Sequence, residues 1–180
     1  TRVKKLFRDF DKEKDRHEQA RLAALVLDEL TVHAKAEEQI VYPAFLLQID
    51  PPSIVREASE EHHAAEILIG ELVTLVATSD AKLKPKMNVL RELVKHHIRE
   101  EEGEMFDAVK RGQFDYAGLA KQWLERKGEL QDDLEALRAE LANKAVDGKQ
   151  SARSRPAGTR RTTRTQIARA RTISPRSRGY

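Results

Sequence analysis

The chain has no cysteine in 180 residues, and aromatic residues make up only 5% of it. The absence of cysteine excludes disulfides, iron–sulfur clusters and thiolate zinc sites. No apolar run approaches the roughly 18 residues of a membrane-spanning helix, and nothing resembles a signal peptide, so we expect a cytoplasmic location. A Gly-x-Ser-x-Gly elbow and a Rossmann glycine fingerprint are also missing, which argues against hydrolytic and dinucleotide chemistry.

Strand-like alternation is absent, and glycine and proline are sparse until the end of the chain. Apolar residues instead recur with the helical period. The pattern predicts an all-α fold with helices at about 1–13, 17–49, 53–79, 83–111 and 115–143.

Residues that favour turns stand between these predicted helices. The segment 50–53 predicts a turn with Ser53 as the N-cap of the third helix. Residues 78–80 end that helix, and Gly112 ends the fourth. Pro43, inside the second helix, predicts a kink there.

The second and fourth helices repeat one pattern, a histidine followed four residues later by a glutamate. The pairs are His33 with Glu37 and His97 with Glu101. Side chains at this spacing lie on the same helix face, and both pairs fall on the apolar stripe. Because buried imidazoles and carboxylates cost several kcal/mol each unless they are paired or coordinated, a bound metal is the simplest interpretation.

The third helix carries a further inward histidine. His62 lies in the apolar stripe of residues 55–76, whereas His63 is turned about 100° away, and His96 is turned away in the same manner. Glu66, four residues after His62, is a candidate ligand, although an exposed glutamate explains it nearly as well.

The other charged residues near these positions are assigned to solvent-exposed faces. They are His17, Glu60, Glu61, Glu100 and Glu102. Glu38 is also expected to be exposed, with contact to a metal ligand as the alternative.

This pattern resembles the hemerythrin-like, HHE cation-binding family, in which the first helix has a histidine, the second and fourth His-x3-Glu, and the third a histidine. The resemblance covers roughly residues 1–140 and implies an up-down-up-down four-helix bundle. The family's first-helix histidine would stand directly before Thr1, so we expect residues to be missing from the front. The expected metal ligands are His33, Glu37, His62, His97, Glu101 and Glu66.

Imidazole and carboxylate ligands suit iron, manganese or zinc. Five or more convergent ligands exceed the needs of one tetrahedral ion. Two octahedral ions bridged by Glu37 and Glu101 would use them all and leave an open position. We therefore expect two non-haem iron ions with oxo or carboxylate bridges, and manganese or zinc as the less favoured alternatives.

Three functional hypotheses remain. The first is binding or sensing of O2, nitric oxide or iron at the open position. The second is an enzyme that decomposes peroxide or oxidises ferrous iron. In the third, the metal is structural, and the leucine-rich fifth helix or the end of the chain binds a partner.

The composition changes after residue 147. Residues 149–180 contain ten Lys or Arg and no Asp or Glu, and removing them from the formal net charge of +3 leaves about −7 on residues 1–148. The sequence thus predicts a metal-binding bundle at 1–112, an accessory amphipathic helix at 113–145 and a disordered Arg-rich tail at 146–180. The tail is either a solubilising extension or a nucleic-acid-binding arm without sequence preference.

Overall fold

The computed structural model describes residues 2–153, and the side chains of all of these except 142 and 145–153. The described part is helical and contains no strand, which confirms the all-α prediction for it. Its elements are α1 (Arg2–Lys12), α2 (Arg16–Ala36), π1 (Glu37–Val41), α3 (Tyr42–Leu46), α4 (Ser53–Thr78), α5 (Leu83–Glu100), π2 (Glu101–Met105), α6 (Phe106–Arg111) and α7 (Tyr116–Arg153).

Most helix ends lie where the sequence predicts them. Ser79 ends α4 in the left-handed conformation with φ 49°, and Gly112 follows α6. The prediction for Ser53 is wrong, because Ser53 is the first residue of α4 and Pro52 occupies the N-cap position without a side-chain hydrogen bond. The ring of Pro52 holds φ at −69°, close to the helical value, so the chain is already helical at the next residue.

The two His-x3-Glu helices share a local irregularity that begins at the glutamate. The backbone N–H of Tyr42 donates to the carbonyl of Glu37, and that of Phe106 donates to the carbonyl of Glu101. Both bonds span five residues, which defines a π-type turn, a rare feature often found at functional sites. π1 ends two residues before Pro43, and π2 has the same form without a proline after it, so the kink at Pro43 stays a prediction.

The first π-type turn also changes which residue faces the interior. Uninterrupted α-helical periodicity predicts that Val41 continues the apolar stripe, but Val41 is half-buried and Tyr42 is 4% exposed. A π-type turn accommodates an extra residue, so the inward direction moves one position along the chain.

Two apolar clusters form the core. The larger joins α1, α2, α4 and α5, and its most buried large side chains are Phe10, Val26, Leu72, Met87 and Leu90. The smaller contains Tyr42, Ile49, Val55, Ala58, Met105, Ala108 and Val109. On α2–π1, α4 and α5–π2 the histidines and glutamates of the predicted site lie between these two clusters.

Helix α7 lies beside α2. Lys127 donates to Glu29 at 2.7 Å, and both side chains of this pair are mostly buried. Arg126 donates to Gln39 at 2.7 Å. These contacts fix the first half of α7 beside the helix that carries His33.

Residues 1–139 form one compact unit and residues 140–180 a second. In the second unit the structure describes a helical backbone to Arg153, with Lys144 and Glu140 paired at 2.6 Å. The helix therefore includes residues 146–153, which composition assigned to the tail, while residues 154–180 lie outside the described part. None of the described helices is both long and apolar enough to cross a membrane.

Candidate metal centre

Five side chains from three helical stretches approach one another between the two apolar clusters. The half-buried His33 of α2 lies one helical turn before Glu37, and His97 of α5 has the same relation to Glu101. His62 enters from α4. His62 and His97 are the two buried polar residues of the described part, whereas their neighbours His63 and His96 are exposed, as the periodicity predicts.

Short distances link these five side chains in a row. His33 Nε2 lies 3.1 Å from Glu37 Oε1, and Glu37 Oε2 lies 3.6 Å from His62 Nε2. His62 Nε2 is 3.0 Å from His97 Nε2, and the latter is 3.3 Å from Glu101 Oε1. Glu37, His62 and His97 are the tightest group, with one ligand atom of each within 4.8 Å of the others.

Two further carboxylates hold the imidazoles from behind. Glu61 Oε2 accepts a hydrogen bond from His97 Nδ1 at 2.8 Å. Glu38 Oε1 lies 3.3 Å from His62 Nδ1, within reach of the same kind of bond. A carboxylate at Nδ1 places the ring proton there and leaves Nε2 with a free lone pair, as metal-binding histidines require.

This arrangement needs a positive charge between the two rings. With both Nδ1 atoms protonated, the neutral rings of His62 and His97 would direct lone pairs at each other across 3.0 Å. Beside them, the buried Glu37 Oε2 has no hydrogen-bond partner among the described residues. A buried carboxylate oxygen without a partner is costly, so the donor set fits a cation that both rings and this oxygen contact.

Three residues of the cluster have shifted pKa values in the protein without metal. Burial raises the pKa of Glu37 to about 8, and the charge of Glu101 adds to this rise. Burial lowers the pKa of His62 to about 4, with a contribution from His97. Burial would lower the pKa of His97 as well, but hydrogen bonds and charge from Glu101, together with Glu61, raise it to about 9. The opposed shifts of Glu37, His62 and His97 thus follow from burying titratable groups beside one another.

Two aromatic side chains border the cluster of histidines and glutamates. The Tyr42 hydroxyl donates to Glu101 Oε1 at 3.3 Å and lies 3.3 Å from His62 Nε2. On the other side, the Trp123 ring meets His33 edge-on, with ring centroids 5.5 Å apart. Phe106, which follows His97 by the same nine residues that separate Tyr42 from His33, is instead 55% exposed.

The structure does not bring every candidate residue to this cluster. The side chain of Glu66 is 75% exposed, and its nearest ion-pair partner is His63 at 4.0 Å. Conversely, the sequence assigned Glu61 to solvent, although its side chain is 12% exposed and contacts His97. Helix periodicity contains no signal for Glu61, because its partner belongs to another helix.

A cavity of about 480 Å³ adjoins the cluster. All five candidate ligands of the row line it, and so do Glu38, Glu61 and Trp123. Apolar side chains from the same helices form much of the remaining wall, among them Leu30, Ile69 and Val94. The cluster therefore faces a space that a small molecule can enter.

Comparisons with known proteins identify a cation-binding family. The family model described as Hemerythrin HHE cation binding domain matches residues 1–109. A protein named DNA nickase, from Nostoc sp. (strain PCC 7120 / SAG 25.82 / UTEX 2576), is 26% identical over 112 residues, which are 61% of this chain and 30% of that protein. The chain thus spans less than a third of that relative's length. No solved structure matches the chain.

Proposed function

Because the chain belongs to the hemerythrin HHE cation-binding domain family, we propose that it is a non-haem di-iron protein that binds or senses O2, or a related diatomic molecule, at its buried centre. In this proposal α1, α2–π1–α3, α4 and α5–π2–α6 form the family's up-down-up-down four-helix bundle. His33, Glu37, His62, His97 and Glu101 hold the metal. The observation that carries the proposal is the 3.0 Å approach of His62 Nε2 to His97 Nε2, beside a Glu37 Oε2 that has no hydrogen-bond partner in the described part of the chain.

The donor types favour iron over the alternatives. Three imidazoles and two carboxylates suit first-row ions such as iron, and five donors exceed the four of a structural zinc site. Bound iron would supply an open coordination position and redox chemistry. The protein's own contribution is to hold both Nδ1–H groups in place through Glu61 and Glu38, which orients the Nε2 lone pairs inward.

The surroundings of the cluster suit a small ligand. Apolar side chains form much of the wall of the cavity beside it, and the Tyr42 hydroxyl donates to the Glu101 carboxylate. The same hydroxyl would be able to donate a hydrogen bond to a small molecule bound in the centre. Burial and the nearby carboxylates raise the pKa of Tyr42 far above its ordinary value, so the hydroxyl keeps its proton at neutral pH.

Metal content and an optical spectrum test the proposal. We expect close to two irons per chain, near-ultraviolet charge-transfer bands and a reversible spectral change on cycling O2. His62→Ala should lose iron, whereas the adjacent exposed His63→Ala should retain it. Stoichiometric zinc without iron after expression in iron-rich medium would refute the di-iron proposal. Sustained O2 evolution from peroxide would instead favour an enzyme.

A second proposal concerns nucleic acid. Residues 149–180 carry ten basic and no acidic residues, and the relative described above is named a DNA nickase. We propose that this segment binds nucleic acid through its phosphates, with an affinity that falls steeply as salt rises. Removing residues 154–180 should abolish a DNA mobility shift at low salt, and an unchanged shift would refute the idea.

A further inference from the structure

A second group of nitrogen and oxygen donors lies directly outside the buried one. Each member precedes a member of the inner cluster by one residue, on both α4 and α5. The outer residues are Glu61, His96 and Glu100, which precede His62, His97 and Glu101. One residue corresponds to a rotation of about 100° around a helix, so these donors lie on the helix faces next to those that carry the inner cluster.

The outer donors converge in the structure. His96 Nε2 lies 2.8 Å from Glu100 Oε1 and 3.3 Å from Glu61 Oε1. One ligand atom of each residue lies within 4.8 Å of the others. His96 and Glu100 repeat the i, i+4 spacing that lets one helix offer an imidazole and a carboxylate to the same ion. One nitrogen and two carboxylate oxygens suit first-row divalent ions.

The outer group differs from the inner one in exposure. The His96 side chain is 54% exposed and that of Glu100 is 39% exposed. Water therefore competes for an ion held there, and both residues can rearrange without disturbing the core. Such a site would bind a divalent ion weakly and release it readily.

Glu61 connects the two groups. Its Oε1 faces His96, while its Oε2 accepts from His97 Nδ1. The same side chain lines the cavity beside the buried cluster. An ion that binds Glu61 together with His96 and Glu100 is thus attached to a residue that also contacts the inner cluster.

We propose that Glu61, His96 and Glu100 form an outer divalent-cation site through which metal ions reach the buried centre. This inference rests on the proposed metal-binding function. It assigns to the outer residues a role in the rate of metal uptake, not in the final affinity of the centre.

Rapid mixing of the metal-free protein with Co²⁺ under anaerobic conditions tests the inference, because visible d–d absorption reports entry into a nitrogen and oxygen site. His96→Ala and Glu100→Gln should each slow loading about tenfold, which corresponds to a loss of about 1.4 kcal/mol in the stability of the ion captured at the outer site. The final Co²⁺ content and equilibrium affinity should match the wild type. His63→Ala, which removes the exposed His63–Glu66 pair of α4, is the matched control and should load at the wild-type rate.

Each other outcome has a distinct meaning. Equal loading rates for His96→Ala and the wild type would overturn the inference and leave the proposed function intact. A fall in equilibrium affinity would also overturn it, because His96 would then act by positioning Glu61 against His97. If the wild-type protein takes up no Co²⁺, the metal-binding function itself fails. Circular dichroism checks that the variants keep their helical content.

Discussion

Replacing Glu61 with glutamine tests how the carboxylates behind the imidazoles support metal binding. Glu61 Oε2 accepts a 2.8 Å hydrogen bond from His97 Nδ1, and its side chain is 12% exposed. Glutamine keeps an oxygen acceptor there but removes the negative charge. A hydrogen bond to a charged group contributes about 1.5–3 kcal/mol, roughly twice a neutral one. The loss should therefore be about 1–2 kcal/mol, which lowers metal affinity about 5- to 30-fold.

Two other substitutions provide the comparison. Glu38 lies 3.3 Å from His62 Nδ1 and is 42% exposed, so water screens its charge. Glu38→Gln should therefore weaken metal binding less than Glu61→Gln does. Glu60→Gln, at the exposed neighbouring position, should leave the affinity unchanged.

Competition against a chromophoric chelator measures these affinities directly, with metal content determined on the same samples. An affinity of Glu61→Gln equal to that of the wild type would refute the reasoning, and so would a larger loss for Glu38→Gln. Either result would mean that the Nδ1 contacts do not set the direction of the Nε2 lone pairs.

Three other measurements test other parts of the molecule. Burial holds the pKa of Glu37 near 8, above its ordinary 4.5, so ionisation of this carboxyl opposes folding. Because the lowered pKa of His62 contributes in the opposite direction below about pH 6.5, the metal-free protein should lose a few kcal/mol of stability as pH rises from about 6.5 to 8. In urea unfolding, Glu37→Gln should reduce this loss, and a stability that rises over this pH range would contradict the reasoning. Trp123 is the single tryptophan, and its ring centroid lies 5.5 Å from that of His33. Iron loading should therefore quench the fluorescence of Trp123. Unchanged emission at full loading would mean that Trp123 lies away from the metal. Leu72→Ala should lower the free energy of unfolding by about 2–5 kcal/mol because this side chain is fully buried. Leu124→Ala, on the exposed face of α7, should lower it by less than about 0.5 kcal/mol. Equal losses of stability for the two variants would contradict the assigned core.

The helices were largely predictable because their signals are local. Apolar residues recur with the helical period, and Gly112 stands after the helix that it ends. Two of the errors of detail, at Ser53 and at Val41, also have local causes that periodicity does not report. Pro52 already has a helical φ, which displaces Ser53 from the cap, and π1 moves the inward direction from Val41 to Tyr42.

The site was predictable only in part. The inward direction of His62 and His97 follows from the apolar stripes of α4 and α5, and both are buried. Glu66 lies at the edge of the α4 stripe but remains exposed beside His63. Trp123 contacts His33 from a helix outside the residues that match the family, so no pattern on α2 indicates it.

Spacing along α4 and α5 thus predicts that His62 and His97 face the interior, because side-chain direction around a helix follows from that spacing. Contacts between helices, by contrast, place Glu61 against His97, Trp123 against His33 and Glu37 Oε2 without a hydrogen-bond partner among the described residues. These features depend on distances between different helices. Such distances are set by how the apolar clusters pack, and a single helix carries no record of them.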